Sequence, residues 1–239
     1  MEPRGPAEGD PYPRWLDALE QIKTDIVGMY ADRAIWTEIV GMLDANENIE
    51  HRDWVRTWLS AQYVTSQAMG VRRQVDRRSD VISIGSVLLE LEENSSVLSR
   101  DRYFEICGPV DGRHQESVTH RNFDAWAGAG GDVVAPAIVA SKRAGLNDAA
   151  ARVREYVNKR IAHWDRKDPQ TFTFGDLDAA LDKLGSTLQE LELLLRGVSL
   201  IRVEPYVQTA WQWAFAVPWL DDQKVRRWRG IKERRRDFD

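Results

Sequence analysis

The chain has 239 residues, of which 43% are hydrophobic and 30% are charged, so it can fill a core and keep a wet surface. It contains no run of roughly 18 apolar residues, which excludes a membrane-spanning helix, and its first residues lack the apolar stretch of a signal peptide. Cys107 is the only cysteine, so no internal disulfide and no thiolate zinc site can form. We therefore expect a soluble cytoplasmic protein without membrane contact.

The first half of the chain predicts helices. Residues 1–13 are rich in Pro, Gly and acid, which predicts disorder. Apolar residues at three- and four-residue steps then predict helices over 15–30, from Ile35 to about Asn46, and over 50–78. A buried helix over 81–94 and a short helix over 101–106 follow.

The second half begins with a segment, 108–131, whose glycines and polar residues predict an irregular loop. Pro136 suits the first turn of a helix, and Asn147 or Asp148 can cap another that runs to about Asp165. Thr173 and Asp176 approximate a capping box. The helix that follows carries a heptad seam, which fits either a bundle or a dimer interface: Leu177, Leu181, Leu184, Leu188, Leu191 and Leu195.

The fold class is therefore all-α, a helical bundle over 14–200 with additional C-terminal helices in a Trp-rich, basic extension over 201–239. The sequence has no phosphate-binding Gly-Lys loop, no dinucleotide fingerprint and no zinc-protease or serine-hydrolase motif. The four histidines, His51, His114, His120 and His163, do not have the spacing of a helical metal pair. We expect neither a metal nor a cofactor.

Positive charge is concentrated in three segments of this acidic chain, whose net charge is −5. One lies around Arg72 and Arg73, one over 152–167 and one after Asp221. If these segments meet in space, they form an anion-binding surface; otherwise each is a solvated helix face.

Tyr156, Arg160 and His163 are four and three residues apart, so on an α-helix they form one row at the edge of an apolar arc that includes Val157. A phenol, a guanidinium and an imidazole in one row can bind a phosphate and move a proton. The alternative is an arginine paired with a carboxylate beside a packed histidine.

The sequence YVNKRIAHWDRKD resembles the signature helix of the HEPN superfamily, most closely the branch of AbiU-type abortive-infection proteins. The preceding segment, GVRRQVDRRSD with VISIGSVLLELEEN, and the following TFGDLDAALDKLGSTLQELELLLRG are also similar to that branch. The resemblance covers about residues 15 to 200.

The resemblance implies a helical bundle that forms a homodimer, and a metal-independent ribonuclease site shared by two protomers. Asn158, Ala162, His163 and Asp165 match the family motif. The resemblance thus implies catalytic roles for His163 and Asn158, to which the row adds Arg160 and Tyr156. RNA contacts would come from neighbouring positions: Arg154, Lys159, Asp165, Arg166, Arg72 and Arg73.

The sequence departs from the family at Val157, where the family has its arginine. Two functions follow as alternatives. One is an RNA-targeting protein, a metal-independent ribonuclease toxin of an abortive-infection or toxin–antitoxin defence system with an antitoxin or another defence protein as partner. The other is a catalytically inactive HEPN module that binds RNA, nucleotide or a protein partner.

Overall fold

A computed structural model describes residues 9–46, 49, 52–109, 112–161, 172–207 and 209–216. The prediction of an all-α fold is confirmed, since these ranges contain helices and no β-strand, only an isolated bridge between Ser99 and Val133. The α-helices are α1 (Tyr12–Ala45), α2 (Arg52–Gln74), α3 (Ile84–Glu93), α4 (Arg100–Cys107), α5 (Gly112–Ala127), α6 (Pro136–Ala149), α7 (Ala151–Tyr156) and α8 (Phe174–Arg196). One π-helical turn, Val157–Ile161, continues α7.

The chain divides into two units, Met1–Pro205 and Tyr206–Asp239. All eight α-helices belong to the first unit. In the second, the described residues contain a short 3₁₀ helix, Thr209–Phe215, in which Trp211 meets Phe215 edge-on with ring centroids 6.0 Å apart. In the described part of the chain, no helix is both long enough and apolar enough to cross a bilayer.

Helix α8 is the centre of the first unit, packing against α1, α2 and α6. Thr173 and Asp176 form the predicted capping box at its start, and Gly197 ends it in the left-handed conformation with φ 65°. The leucines of the heptad seam are all 1% exposed or less. The seam therefore packs inside the protomer, as in a bundle, and is not available as a dimer interface.

Helix α1 is one continuous helix, so the prediction of two helices divided after Tyr30 is wrong. The segment between Tyr30 and Trp36 contains neither Pro nor Gly, and nothing ends the helix there. The helix begins at Tyr12, inside the segment predicted to be disordered, and the Tyr12 hydroxyl donates to Leu195 O at 2.5 Å.

The prediction of an irregular loop over 108–131 is also wrong, because Gly112–Ala127 form α5. Among the α5 side chains that the structure describes, only Thr119, Phe123 and Trp126 are buried, which explains why the helical pattern of apolar residues in the sequence is weak. Residues 128–135 form the irregular part. There Arg100 donates to Gly131 O through Nε (3.0 Å) and Nη2 (2.6 Å), which fixes the loop against α4.

The predicted helix start at Asn147 or Asp148 is wrong as well. Both residues lie inside α6, and the chain turns at Ala150 before α7 begins. The Asn147 side chain does not cap a helix; its amide donates to Arg143 O (2.8 Å) and its oxygen accepts from Arg154.

Candidate nucleic-acid interface

Two of the three basic segments meet in space. The last turn of α2 lies against α7 and the π-helical turn, and Arg72 Nε donates to Asn158 Oδ1 at 3.0 Å. This contact joins residues 86 positions apart in the sequence. We call the group Arg72, Arg154, Asn158, Lys159 and Arg160 the cationic cluster. The third basic segment, after Asp221, lies outside the described residues.

Apolar side chains hold the cluster's backbone in place. Val153 and Val157 are both 0% exposed, and Ile161 packs against the same core from a partly buried position. Val157, which the sequence placed in an apolar arc, is therefore a core residue. Asn158, one residue later, is exposed and faces α2.

The π-helical turn changes the predicted row of side chains. A π-helix bonds each residue to the fifth one along, not to the fourth, so positions three and four apart no longer stack as they do on an α-helix. The prediction that Tyr156 and Arg160 share an α-helical row is therefore wrong. Tyr156 packs on Phe172 instead, with ring centroids 4.4 Å apart. π-turns within α-helices are frequent at functional sites.

Arg72 is the best-positioned cation of the cluster. Its side chain is 40% exposed, its Nε is held by the neutral Asn158 amide, and its Nη1 lies 4.0 Å from Asp76 Oδ2. Burial alone would raise the pKa of Asp76, but the Arg78 amide and the Arg78 and Arg72 guanidiniums outweigh it and hold that pKa below its usual value. Asp76 is thus one carboxylate shared by two arginines, Arg72 and Arg78, and these three side chains together keep a net positive charge.

The other cations of the cluster differ in how far their charge is balanced. Lys159 Nζ forms an ion pair with Glu155 Oε1 at 2.6 Å, one helical turn back. Arg154 Nη1 donates to the neutral Asn147 Oδ1 at 3.2 Å. Arg160 Nη1 donates to Lys159 O at 3.4 Å. Neutral amides therefore position both Arg72 and Arg154 without cancelling their charge.

Arg73, predicted as an RNA contact, points elsewhere. It binds the Asp25 carboxylate on α1 through both Nε and Nη2, and Gln74 Nε2 donates to the same carboxylate at 2.6 Å. Because Asp25 neutralises its charge, Arg73 serves to join α2 and α1 and does not belong to the cluster.

Three predicted site residues, His163, Asp165 and Arg166, lie outside the described residues. Six other predicted site residues are described, and they lie on α7, the π-helical turn and the adjacent end of α2: Tyr156, Asn158, Lys159, Arg160, Arg154 and Arg72.

In the described ranges, no group of three or more His, Cys, Asp or Glu residues could hold a metal ion. The expectation of no metal and no cofactor stays a prediction.

Two residues that contribute to the cluster were missed. Asn147 positions Arg154, but its place before a helical pattern indicated a cap. Asp76 Oδ2 lies 4.0 Å from Arg72 Nη1, and its position four residues further along the helix predicted over 50–78 was a usable signal, although α2 ends at Gln74. His120, taken to lie in a loop, sits on α5, where Arg100 Nη1 lies 3.1 Å from its Nδ1.

The described residues thus form an all-α helical bundle with a cationic cluster at the junction of α2 and α7. No family model matches the chain, and comparisons with curated proteins and with solved structures gave no match.

Proposed function

We propose that this chain is a HEPN-like protein that binds RNA, with an RNA phosphate held at the cationic cluster. The observation that carries the proposal is the contact between Arg72 and Asn158. It places a guanidinium from α2 beside the asparagine that matches the family motif. A phosphate contact needs a positioned cation whose charge is not already spent on a carboxylate.

The cluster also supports this proposal through its remaining donors. Within the described residues, Arg72 Nη2 has no protein acceptor and Arg154 donates to the neutral Asn147 amide. Both guanidiniums can therefore exchange water for phosphate oxygens without first breaking a strong ion pair. Sequence-independent contacts of this kind dominate the affinity of most nucleic-acid-binding proteins.

A metal-independent ribonuclease toxin of a defence system, controlled by an antitoxin, is the second candidate. Arg72 favours it, because this residue supplies from α2 the guanidinium that the family places where this chain has Val157. His163 would then activate the ribose hydroxyl or protonate the leaving oxygen. Incubation of the protein with RNA in EDTA, with His163→Ala beside the parent chain, tests cleavage separately from binding.

The test of RNA binding uses fluorescence anisotropy with an end-labelled single-stranded RNA over a series of salt concentrations. Arg72→Ala should weaken binding about tenfold, equivalent to about 1.4 kcal/mol, and lower the slope of log affinity against log salt by about 1. Arg73→Ala should weaken binding less, since Asp25 already neutralises that side chain.

Arg143→Ala is the matched control, since it removes the same charge from α6, where Arg143 pairs with Glu92 at 2.6 Å. Equal losses in Arg72→Ala and Arg143→Ala would mean that net charge alone drives binding, and the proposed interface would be wrong. Absence of RNA binding by the parent chain at low salt would overturn the proposed function itself.

A further inference from the structure

A cavity of about 260 Å³ lies between α1 and α2 and shares no residue with the cationic cluster. Its walls are the facing sides of the two helices. On each helix, lining residues recur at steps of four and three, which places them on one side of that helix. They are Asp32, Trp36 and Ile39 on α1, and Leu59, Tyr63 and Ser66 on α2.

Contacts along α1 and α2 show which lining residues face each other. Three pairs establish that the helices run antiparallel: Gln67 with Met29, Tyr63 with Trp36, and Arg56 with Asp44. This register places Ser66 at the same end of the cavity as Asp32, and Leu59 at the same end as Ile39. The cavity is therefore polar at one end and apolar at the other, and the two ends are about 10 Å apart along α1.

Two stacked aromatic rings form the wall between these ends. Tyr63 is 7% exposed, and its ring lies 4.4 Å from that of the half-buried Trp36, with an angle of 6° between the planes. Phe174 stacks on Trp36 from α8, with centroids 4.9 Å apart, so three helices hold the rings in place. Burial raises the pKa of Tyr63 to about 12, which keeps its hydroxyl neutral. The wall is thus an uncharged surface formed before any ligand binds.

Among the described residues that line the cavity, Asp32 is the only charged one. No cation in the described part of the chain pairs with it. Its neighbour Arg33 pairs instead with Asp182 at 2.8 Å and Asp178 at 3.5 Å, both on α8. Asp32 keeps contact with solvent, yet partial burial raises its pKa. A cation that binds here therefore gains a carboxylate without breaking an existing ion pair.

We propose that this cavity binds a small organic cation, an ammonium group joined by a short linker to a single ring. The ammonium donates to Asp32 and Ser66 at the polar end, and the ring packs against Trp36, Tyr63 and Leu59. A volume of about 260 Å³ is below the roughly 300–1,000 Å³ of sites for drug-sized ligands, so one ring and its amine have the right size.

The charge of the lining decides against an anionic ligand, because a phosphate or a carboxylate would meet Asp32 and no described cation. The site is thus chemically opposite to the cationic cluster. The proposal goes beyond RNA binding and does not depend on it.

The test compares 2-phenylethylamine, which is a cation at neutral pH, with 2-phenylethanol, a neutral analogue of nearly the same shape. Ligand-observed NMR titration of the full chain measures both dissociation constants. The parent chain should bind the amine with a Kd of about 1 mM or lower and about tenfold more tightly than the alcohol. Asp32→Asn should remove that tenfold advantage and leave the alcohol's affinity unchanged. Its RNA binding should match that of the parent chain.

Asp17→Asn is the matched control, since it removes the same charge from an exposed position of α1, 15 residues before Asp32, and should bind the amine as the parent does. Ile39→Trp adds volume at the apolar end and should abolish binding of both compounds while circular dichroism stays unchanged. Absence of amine binding by the parent chain, or equal affinities for amine and alcohol, would overturn the proposal. So would equal losses in Asp32→Asn and Asp17→Asn, or undiminished binding by a folded Ile39→Trp variant.

Discussion

Helix α8 and the segment 151–161 both pack against the core of the first unit, but they do so in different ways. Along α8 the leucines repeat with a regular helical period, all of them buried, between a capping box and a left-handed glycine. In the segment 151–161, only Val153 and Val157 are fully buried, and the backbone changes from α to π between them and Ile161.

The regular helix α8 forms the scaffold of the first unit, whereas the irregular segment 151–161 carries the candidate site. Regular repetition lets α8 bury its leucine face completely, together with Thr187 and Glu192, while Thr173 and Asp176 cap its start. The irregular segment instead turns Asn158 and Lys159 outward beside α2 while two valines hold it in place. A local departure from ideal helical geometry commonly persists at functional sites because the surrounding structure supports it.

Val157→Arg tests the irregular segment most severely. Val157 is 0% exposed and belongs to the apolar core. The variant therefore buries an unpaired charge, and we expect its free energy of unfolding to fall by about 4 kcal/mol or more. Urea unfolding followed by circular dichroism measures the loss.

Ala151→Arg adds the same side chain at an exposed position of α7 and should change stability by less than about 0.5 kcal/mol. A stable Val157→Arg variant that binds RNA more tightly would contradict the packing described here. It would mean that the position opens towards the cluster, as the family pattern implies.

The helices could be predicted from the sequence wherever apolar residues repeat over several turns, as in α8, or where an N-terminal signal precedes them, as with Pro136. Helix α5 could not, because among its described side chains only Phe123 and Trp126 are large, apolar and buried. The break at Ala150 between α6 and α7 could not be predicted either, because alanine favours helix and no neighbouring Pro or Gly marks the turn.

The candidate site was predictable only in part. The sequence placed Asn158 and Lys159 in a basic segment, and it placed Arg72 in another. That Arg72 and not Arg73 reaches Asn158 depends on how α2 packs, because Asp25 on α1 captures the second arginine. No periodicity within either segment contains that information.

Leu188→Ala tests the regular helix. Leu188 is 0% exposed at the middle of α8, so truncation leaves a cavity among well-packed neighbours. We expect a loss of about 2–5 kcal/mol in the free energy of unfolding. Ile201→Ala, at a side chain that is 86% exposed, is the control and should change stability by less than about 0.5 kcal/mol. If both variants lose equally little, α8 is not the centre of the core.

The smallest expected effect concerns Asp176, which connects the two regions. Its Oδ2 accepts from the Thr173 backbone amide (2.8 Å) and hydroxyl (2.9 Å), and its Oδ1 accepts from Arg152 on α7 at 3.0 Å. The Thr173 amide and then the Thr173 hydroxyl hold the pKa of Asp176 below its usual value; burial opposes them less strongly, and the Arg152 charge makes a still smaller contribution that lowers the pKa.

A carboxyl whose pKa is lowered by folding stabilises the folded state when it is ionised. That contribution is complete above the unfolded-state pKa of about 3.9 and is lost as the pH falls through the lower folded-state pKa. Asp176→Asn should therefore be less stable than the parent chain at pH 7. Because the aspartate itself becomes neutral on acidification, the difference in urea midpoint between the two should shrink towards zero as the pH falls below the unfolded-state pKa.

Arg152→Gln separates the two sources of this effect, because it removes the charge on α7 and leaves the capping box intact. Arg152 is 58% exposed, so solvent screens its interaction with Asp176 and its share should be the smaller one. The variant should keep most of the pH dependence of the parent chain. If Arg152→Gln abolishes that dependence, the connection to α7 and not the capping box stabilises the start of α8, and the two regions depend on each other more closely than their packing implies.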